Sequence, residues 1–359
     1  MRLSPFRKKS FVGLDLGSHA IKAVQLERTA TGWRVTRHST TPTPEGAIKD
    51  GVVIDGDAVT ESIRRLLKSG HIHATCANIG VAGATVVVRN VRIPKMPEAT
   101  LRKSIRFEAG RYVPTSVEDS FIEFEILGYP DDGQMDVLIV AAPKDVVESR
   151  VKACQAAGLE VEVVDLEPFA SYRALVETDA EHDWAEKTVA IVDIGAHTTS
   201  VSVVSKGVFS MTRAIPQGGS TLTGALKQYF KLTDADAESG KTQLDFRELL
   251  SDAPQENPPL RVLQPHVDEL IREIRRSLNY YQSQQTDAGQ PNPVTQVLLS
   301  GGSAKMNGLA GYMSQKLALE VTPLGVFDNP RFLVTEDEGH GLEMSVASGL
   351  AMRAFARAA

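Results

Sequence analysis

The sequence predicts an α/β protein made of two duplicated lobes with an inserted subdomain. Two strand–turn–strand segments, FVGLDLGSHAIKAVQL (11–26) and TVAIVDIGAHTTSVSVV (188–204), carry an aspartate, a glycine and a histidine at matching positions. Each of these residues in the second segment lies 178 positions after its counterpart, and each segment continues through a glycine turn into a third strand. The 359-residue length also exceeds that of a usual domain, roughly 100 to 200 residues.

Composition and charge narrow the class of protein. The chain is 42% hydrophobic and 23% charged, which supports large cores, and its formal charge of −6 makes nucleic acid an unfavourable partner. The two cysteines, Cys76 and Cys154, lack the spacing of a disulfide framework or a zinc site, as expected in a reducing cytosol. We find no apolar run near the roughly 20 residues of a membrane helix. The basic N-terminus is expected to be a solvated end, with contact to a membrane surface as the open alternative.

The first lobe is predicted over residues 1–83. After its three strands, a loop rich in proline and glycine covers 42–56, and a helix with Asp57 as its predicted N-cap ends at Gly70. A strand over 74–81 then returns to the first sheet.

Residues 84–164 are predicted to form the inserted subdomain, as a β-α-β-β-α-β series. Its first helix, from Pro97 to about Tyr112, carries the exposed basic residues Arg102, Lys103, Arg106 and Arg111. Two interpretations of this face stay open, a solvated helix surface and a partner-binding surface. The second helix is expected over 144–157 and the last strand over 160–164.

The second lobe is predicted over 188–342, and residues 165–187 and 343–359 are expected to return to the first lobe. A helix over 165–177 connects the lobes, with Pro168 in its first turn. Gly218 and Gly219 precede a helix with Leu222, Ala225, Leu226, Tyr229 and Phe230 on one face. Further helices are expected at 234–241, 265–285 and 344–355, and the part near 220–290 is expected to contact a nucleotide.

The two aspartate turns suit the phosphates of a nucleotide. Glycine lets several backbone N–H groups converge on phosphate oxygens, and Asp15 and Asp193 supply the one or two carboxylates that Mg²⁺ needs beside phosphates and water. Lys22 is placed to reach a terminal phosphate. Two more glycine pairs, Gly218-Gly219 and Gly301-Gly302, stand before predicted helices, where backbone amides can approach a ligand.

These segments resemble the actin-like ATPase superfamily, which includes actin, sugar kinases, DnaK-type chaperones and FtsA. The resemblance covers nearly the whole chain and implies ATP and Mg²⁺ as ligands. DLGSHAIK and DIGAHTTS resemble its two phosphate motifs, AESGK its AExxK element and LLSGGSAKMNGL its adenosine motif. The implied contacts to the nucleotide and metal are Asp15, Gly17, Ser18, Lys22, Asp193, Gly195, Thr198, Thr199, Glu238, Lys241, Gly301, Gly302 and Ser303. Glu167 resembles the glutamate that helps to hold the metal and its water, so Glu167 and Asp193 are the candidate catalytic residues.

An insert directly before the first connecting helix resembles the FtsA/PilM branch, and RIPKMPEATLRKSIRFEAGRYVP with IVAAPKDVVESRV resembles the PilM family of type IV pilus assembly. That resemblance implies a cytoplasmic scaffold at the inner face of the cytoplasmic membrane. Its implied partners are the N-terminal cytoplasmic peptide of PilN, captured between the insert and the first lobe, the pilus motor ATPases and the platform protein. Membrane association is therefore expected to be indirect.

Two alternatives remain within the superfamily, an FtsA-like cell-division filament protein and a small-molecule kinase. His19 and His197 occupy turn positions where small or hydroxyl residues are common in the superfamily, and we interpret both as loop side chains rather than bases. Weak or no ATPase activity is therefore expected, because positioning and electrostatics set such rates.

Overall fold

The structure is a computed structural model that describes residues 9–113, 116–179, 184, 186–251, 256–285, 292–334 and 339–355. Its strands are β1 Phe11–Leu16, β2 Ala20–Arg28, β3 Trp33–Pro42, β4 Ile48–Lys49, β5 Val52–Val53, β6 Cys76–Val81, β7 Val87–Pro94, β8 Ser120–Gly128, β9 Gln134–Pro143, β10 Glu160–Leu166, β11 Thr188–Ile194, β12 Thr199–Ser205, β13 Val208–Ile215, β14 Gln296–Ser300, β15 Glu320–Pro323 and β16 Phe332–Leu333. Its α-helices are α1 Gly56–Ser69, α2 Glu98–Ala109, α3 Lys144–Ala156, α4 Glu167–Tyr172, α5 Gly219–Phe230, α6 Asp234–Gln243, α7 Pro258–Gln285, α8 Leu309–Leu317 and α9 Ser345–Met352. Short π or 3₁₀ turns cover Arg173–Glu177, Phe246–Leu250, Gly302–Lys305, Val326–Asp328 and Arg353–Phe355.

Two large sheets share one topology, as the internal repeat predicts. The first has the order β10-β6-β1-β2-β3-β16, and the second has the order β15-β14-β11-β12-β13. In each sheet an antiparallel three-strand meander is extended on one side by two parallel strands, and in the first sheet β16 adds a sixth strand parallel to β3 at the other edge. The duplicated halves and the predicted actin-like α/β fold class are therefore visible in the strand pairing itself.

The insert is smaller than the sequence predicts. Strands β7, β9 and β8 form a separate three-stranded antiparallel sheet, and α2 packs on it through Leu101, Ile105 and Ala109. The prediction also placed α3 and β10 in the insert, but β10 pairs in parallel with β6 of the first sheet. Helix α3 likewise contributes Ala153 and Cys154 to the core of the first lobe. This difference arises because an αβ unit looks alike in sequence whichever sheet it joins.

Helices α4 and α9 pass between the two sheets and pack closely on each other. A Cβ on Gly349 of α9 would lie 1.9 Å from the carbonyl oxygen of Ala170 in α4, so only glycine permits this crossing. Helix α9 also lies on β1, where a Cβ on Gly13 would come within 2.0 Å of the Ala347 carbonyl. Residues 345–352 thus return to the first lobe.

Several local predictions are wrong in detail. Asp55 rather than Asp57 caps α1, because its Oδ1 accepts from the amide of Ala58 at 3.0 Å. Tyr229, placed on the buried face of α5, is 69% exposed. Helix α7 begins at Pro258 and continues through Pro265, earlier than predicted. The two cysteines do not contradict the prediction, since Cys76 and Cys154 are both buried free thiols.

Candidate functional site

The first hairpin places an ion pair at the end of β1. Asp15 and Lys22 are direct cross-strand partners in the β1–β2 ladder, so both side chains leave the same face of the sheet. The Lys22 Nζ donates to Asp15 Oδ2 at 2.7 Å. Burial lowers the pKa of Lys22, but the charge and hydrogen bond of Asp15, with Asp193 and Glu167 beyond it, raise that pKa overall. Lys22 therefore stays charged among carboxylates.

The second hairpin brings Asp193 to the same place from the other lobe. Asp193 pairs with Ser200, which is the position equivalent to Lys22 in the repeat. The second hairpin therefore has no lysine of its own here, and Lys22 acts on the charges of both aspartates. Burial raises the pKa of Asp193 to about 7, with Asp15 and Glu167 adding to the rise and Lys22 opposing it.

Glu167 supplies the third carboxylate. It is the first residue of α4, which follows β10 directly, and Gly80 of β6 leaves room for its side chain. Burial raises the pKa of Glu167, although Arg150 opposes this shift. Asp15, Lys22, Asp193 and Glu167 thus converge from four elements, β1, β2, β11 and α4, into one cluster between the lobes.

Arg150 is a site residue that the sequence analysis missed. Its guanidinium, in a residue that is 4% exposed, donates to Glu167 Oε1 at 3.1 Å and to the Gly80 carbonyl at 2.7 Å. The sequence does contain a signal for it, because Arg150 lies on the same buried face of α3 as Val146 and Ala153. An arginine within an apolar stripe calls for a buried acceptor.

The turns of the two hairpins contact each other across the cleft. Ser18 Oγ and His197 Nδ1 are hydrogen-bonded at 2.8 Å. Burial alone would raise the pKa of Glu238, but hydrogen bonds from Lys241 and Thr223 lower it, and the charge of His19 contributes in the same direction. Each histidine of the repeat therefore faces a polar group of the opposite lobe.

The predicted adenosine residues form a compact group beside the second hairpin. Lys241, 5% exposed, donates to Glu238 Oε2 at 2.7 Å and to Thr223 Oγ1 at 3.0 Å. Ser303 Oγ donates to the Gly195 carbonyl at 3.2 Å. The structure thus brings Glu238, Lys241 and Ser303 together next to the predicted phosphate turn.

The glycines of the two predicted pairs, Gly218-Gly219 and Gly301-Gly302, have different structural roles. Gly218 and Gly219 let α5 approach the turn, since the Gly219 amide donates to the Gly195 carbonyl at 3.0 Å and a Cβ on Gly218 would lie 2.5 Å from that oxygen. Gly301 has φ +91° and leaves space for Asp193, whose Oδ1 would be 2.6 Å from an added Cβ. Gly302, by contrast, is exposed and has no protein atom within 4 Å of an added Cβ.

Two threonines of the second turn separate in the structure. Thr199 is fully buried, and its hydroxyl donates to the Gln217 carbonyl at 2.7 Å, so it links β12 to the segment before α5. The prediction is that Thr199 contacts the nucleotide, but its hydroxyl is already hydrogen-bonded inside the protein. Thr198 is partly exposed, and its carbonyl accepts from the Gly195 amide at 3.0 Å, which closes the turn. Gly17 fits tightly, with the Ala20 carbonyl 2.7 Å and Lys22 Nζ 3.3 Å from an added Cβ.

This donor set fits a magnesium nucleotide. Three carboxylates and one ammonium group meet beside two glycine turns, and Mg²⁺ prefers such oxygen ligands together with phosphates and water. Gly302 leaves open space at the end of β14, where a base or phosphate can approach the backbone. Asp15 and Asp193 would hold the metal, Lys22 would face the terminal phosphate, and a bound metal would supply charge neutralisation of the phosphates.

The duplicated sheets, the paired aspartate hairpins and the crossing helices between them define the actin-like ATPase fold. Solved structures agree with this class. The ethanolamine utilization protein EutJ from Carboxydothermus hydrogenoformans is 18% identical with a TM-score of 0.55, covering 98% of this chain and 92% of its own. MreB5 of Spiroplasma citri bound to AMPPNP is 12% identical with a TM-score of 0.51, covering 96% of this chain and 95% of its own.

A narrower assignment follows from the sequence model of the type IV pilus assembly protein PilM, which matches residues 13–355. The chain belongs to this PilM family. A structure of the PilM–PilN type IV pilus biogenesis complex is similar to it with a TM-score of 0.83 and 26% identity, covering 96% of this chain and 98% of that one.

Curated relatives in the same superfamily are cell division proteins FtsA. The protein from Streptococcus pneumoniae is 23% identical over 75% of this chain, and that from Pseudomonas aeruginosa is 25% identical over 84%. The alignments span 61% of the length of the first and 79% of the second. Within the described residues, none of the helices combines the length and the apolar character needed to cross a membrane.

Proposed function

We propose that this chain is a nucleotide-regulated scaffold of type IV pilus assembly that binds ATP with Mg²⁺ between its lobes. The observation that carries the proposal is the convergence of Asp15, Lys22 and Asp193 from two separate hairpins onto one site. In the roles proposed here, the turns at Gly17-Ser18 and Gly195-Thr198 face the phosphates. The group formed by Glu238, Lys241, Gly301, Gly302 and Ser303 takes the nucleoside.

Hydrolysis is proposed to be weak or absent. Asp193 and Glu167 are the groups that would orient an attacking water, and the rate of hydrolysis depends on how well such groups position it. The proposal rests on His19 and His197, which occupy turn positions where small or hydroxyl residues are common in the superfamily. The nucleotide then acts as a connector that fixes the relative position of the two lobes.

The docking surface for the partner is proposed at the junction of the insert and the first lobe. The junction cluster, the apolar contact between these parts, has Val81, Ala142, Val146 and Leu166 at its centre, with Val52 and Val147 packed around them. Phe121 of β8 is the direct cross-strand partner of Ala142, so both side chains lie on the junction face of the insert sheet. Phe121 is 46% exposed, which leaves an apolar surface continuous with this junction.

A second exposed apolar residue lies on the first-lobe side of the junction. Ile54, 64% exposed, follows Val53, whose amide donates to Ser149 Oγ of α3 at 3.1 Å. Phe121 and Ile54 are thus exposed apolar residues on the two parts that meet at this junction. We propose that the N-terminal cytoplasmic peptide of PilN binds along this surface. The chain would then reach the inner face of the membrane through its partner and relay to the motor ATPases and the platform protein.

Peptide capture can be measured by fluorescence anisotropy with a labelled N-terminal PilN peptide in the presence of Mg²⁺ and ATP. Saturable binding is expected, and Phe121→Ser is expected to weaken it roughly tenfold, because burying an exposed aromatic ring contributes about 1–3 kcal/mol. Tyr229→Ser is the matched control, since Tyr229 is 69% exposed on a different lobe. No saturable binding, or equal losses in both variants, would remove the docking proposal.

An FtsA-like filament is a second candidate, favoured by the FtsA relatives. Sedimentation of the purified chain with Mg²⁺ and ATP separates the two, because a filament former pellets with nucleotide and a scaffold stays in the supernatant. The kinase alternative is tested by phosphoryl transfer to a panel of sugars. Turnover within the usual kinase range of roughly 1 to 100 per second would support that enzyme class instead.

A further inference from the structure

Arg150 is a buried cation with acceptors in three separate segments. Its Nε donates to the Gly51 carbonyl at 2.9 Å, and its Nη1 donates to the Gly80 carbonyl at 2.7 Å and to Glu167 Oε1 at 3.1 Å. A buried guanidinium left without such partners would be strongly destabilising, so each of the three contacts helps to compensate for its burial. A lysine has one compact ammonium group and cannot span the same acceptors.

The three acceptors connect the insert, the first lobe and the cleft. Gly51 is in the β4–β5 turn with φ +86°, Gly80 is in the strand that leads into the insert, and Glu167 starts the crossing helix α4. Arg150 itself is on α3, which follows the last insert strand without a break. One side chain therefore contacts the first lobe at Gly51, the strand that leads into the insert at Gly80 and the crossing helix at Glu167.

The same helix also faces the proposed docking surface. Val146 and Val147, one turn before Arg150, belong to the junction cluster, and Ser149 accepts the Val53 amide. A Cβ on Gly51 would touch Val146 Cγ1 at 3.5 Å and the Ala82 carbonyl at 3.2 Å, so the turn has little room to move independently. A peptide that presses on this junction acts on α3 and on the β4–β5 turn at once.

We propose that Arg150 is a positioning residue that couples peptide docking at the junction to the placement of Glu167 in the cleft. The inference rests on the proposed function, because it requires both a peptide site and a magnesium nucleotide site. The hydrogen bond from Arg150 Nη1 to Glu167 Oε1 at 3.1 Å fixes where this carboxyl group lies in the cleft. Docking that holds α3 against the β4–β5 turn preserves this contact and strengthens binding of the magnesium nucleotide.

Thermodynamic linkage makes this coupling measurable from either side. If the peptide raises nucleotide affinity by a given factor, the nucleotide raises peptide affinity by the same factor. We expect a factor of roughly fivefold or more in the unmodified chain, within the usual range of such couplings. The probes are mant-ATP with MgCl₂ and the fluorescein-labelled PilN peptide, each titrated in the absence and in the presence of the other.

Arg150→Lys is expected to bind the peptide alone much as the unmodified chain does, with the coupling factor reduced to about one. Glu167→Gln keeps an oxygen acceptor for Arg150 but removes the charge, and it is expected to abolish the coupling in a folded protein. Lys152→Met is the matched control, since Lys152 is on the same helix with a 75% exposed side chain and should keep full coupling.

The outcomes separate the inference from the proposed function. Coupling of the unmodified size in folded Arg150→Lys and in Glu167→Gln would overturn the role of Arg150. Binding of both ligands to the unmodified chain with a factor of one would overturn the inference and leave the proposed function intact. Failure of the unmodified chain to bind mant-ATP would refute the proposed function, and the inference with it.

Discussion

Replacing Asp193 with asparagine is predicted to stabilise the ligand-free protein at pH 8. In an unfolded chain this aspartate has a pKa near 3.8, whereas burial in the folded cleft raises its pKa to about 7. Between these two pH values the folded state holds a proton that the unfolded state has released. The free energy of unfolding therefore falls as the pH rises through this window, and asparagine escapes the loss because it does not ionise.

The size of the effect follows from the pKa difference. Each pKa unit corresponds to about 1.4 kcal/mol, so the full shift corresponds to about 4 kcal/mol. The Asp193 side chain keeps partial access to water at the cleft, which reduces the expected gain to about 2–4 kcal/mol at pH 8. A buried carboxylate that costs this much stability is consistent with a functional site, where stability is often lower than it could be.

Urea unfolding at pH 5 and pH 8 measures this prediction directly. Part of the window between pH 3.8 and 7 lies below pH 5, so the stability difference between Asp193→Asn and the unmodified chain should grow by about 1–3 kcal/mol from pH 5 to pH 8. Asp57→Asn, which alters an exposed carboxylate in α1, controls for general loss of negative charge. A difference that is the same at both pH values, or an asparagine variant that is less stable at pH 8, would refute the reasoning.

The remaining predictions concern glycines. Gly349→Ala should lower stability by about 1–3 kcal/mol or more, because its Cβ would collide with the Ala170 carbonyl at the helix crossing. Gly240→Ala, in the interior of α6 with no neighbouring side chain within 4 Å of an added Cβ, should instead raise the free energy of unfolding by about 0.5–1 kcal/mol. Thermal unfolding of both variants checks these two predictions, and equal effects of the two substitutions would contradict them. Gly302→Val should leave the melting temperature nearly unchanged and reduce ATP affinity roughly tenfold or more, since a side chain there meets no protein atom but fills the proposed nucleotide space. Unchanged affinity in a calorimetric titration would contradict the proposed position of the nucleotide beside β14.

Periodicity and repetition were enough to predict the duplicated sheets. The offset shared by Asp15 and Asp193 placed both residues at equivalent strand ends, and equivalent ends of two facing lobes meet in the same cleft. Sequence patterns do not show that α3 and β10 belong to the first lobe. Helix and strand signals are local, whereas the sheet that a strand joins depends on its pairing with strands distant in sequence. Tyr229 was misplaced for a related reason, since the limits of a helix face depend on what packs against it.

The polar contacts of the candidate site were less predictable than its location. The sequence predicts that Lys22 contacts a phosphate, but only the β1–β2 ladder shows that it pairs with Asp15. Likewise, only the β11–β12 ladder shows that Ser200, at the position equivalent to Lys22, pairs with Asp193. Arg150 belongs to no motif, and its three acceptors are far apart in sequence. Thr199 had the right spacing for a phosphate contact, yet its hydroxyl bonds to Gln217. Motif spacing therefore predicts where the site lies, whereas the hydrogen-bond partner of each side chain depends on what is packed around it.

The central claim is that the two aspartate hairpins hold one magnesium nucleotide between the lobes. Its most direct test is calorimetric titration of ATP into the unmodified chain and into Asp193→Asn, each with and without Mg²⁺. We predict saturable binding that depends on Mg²⁺ in the unmodified chain and an affinity at least about tenfold lower in the variant, which the stability measurement will have shown to be folded. Equal affinities in the two proteins, or binding indifferent to Mg²⁺, would contradict the account.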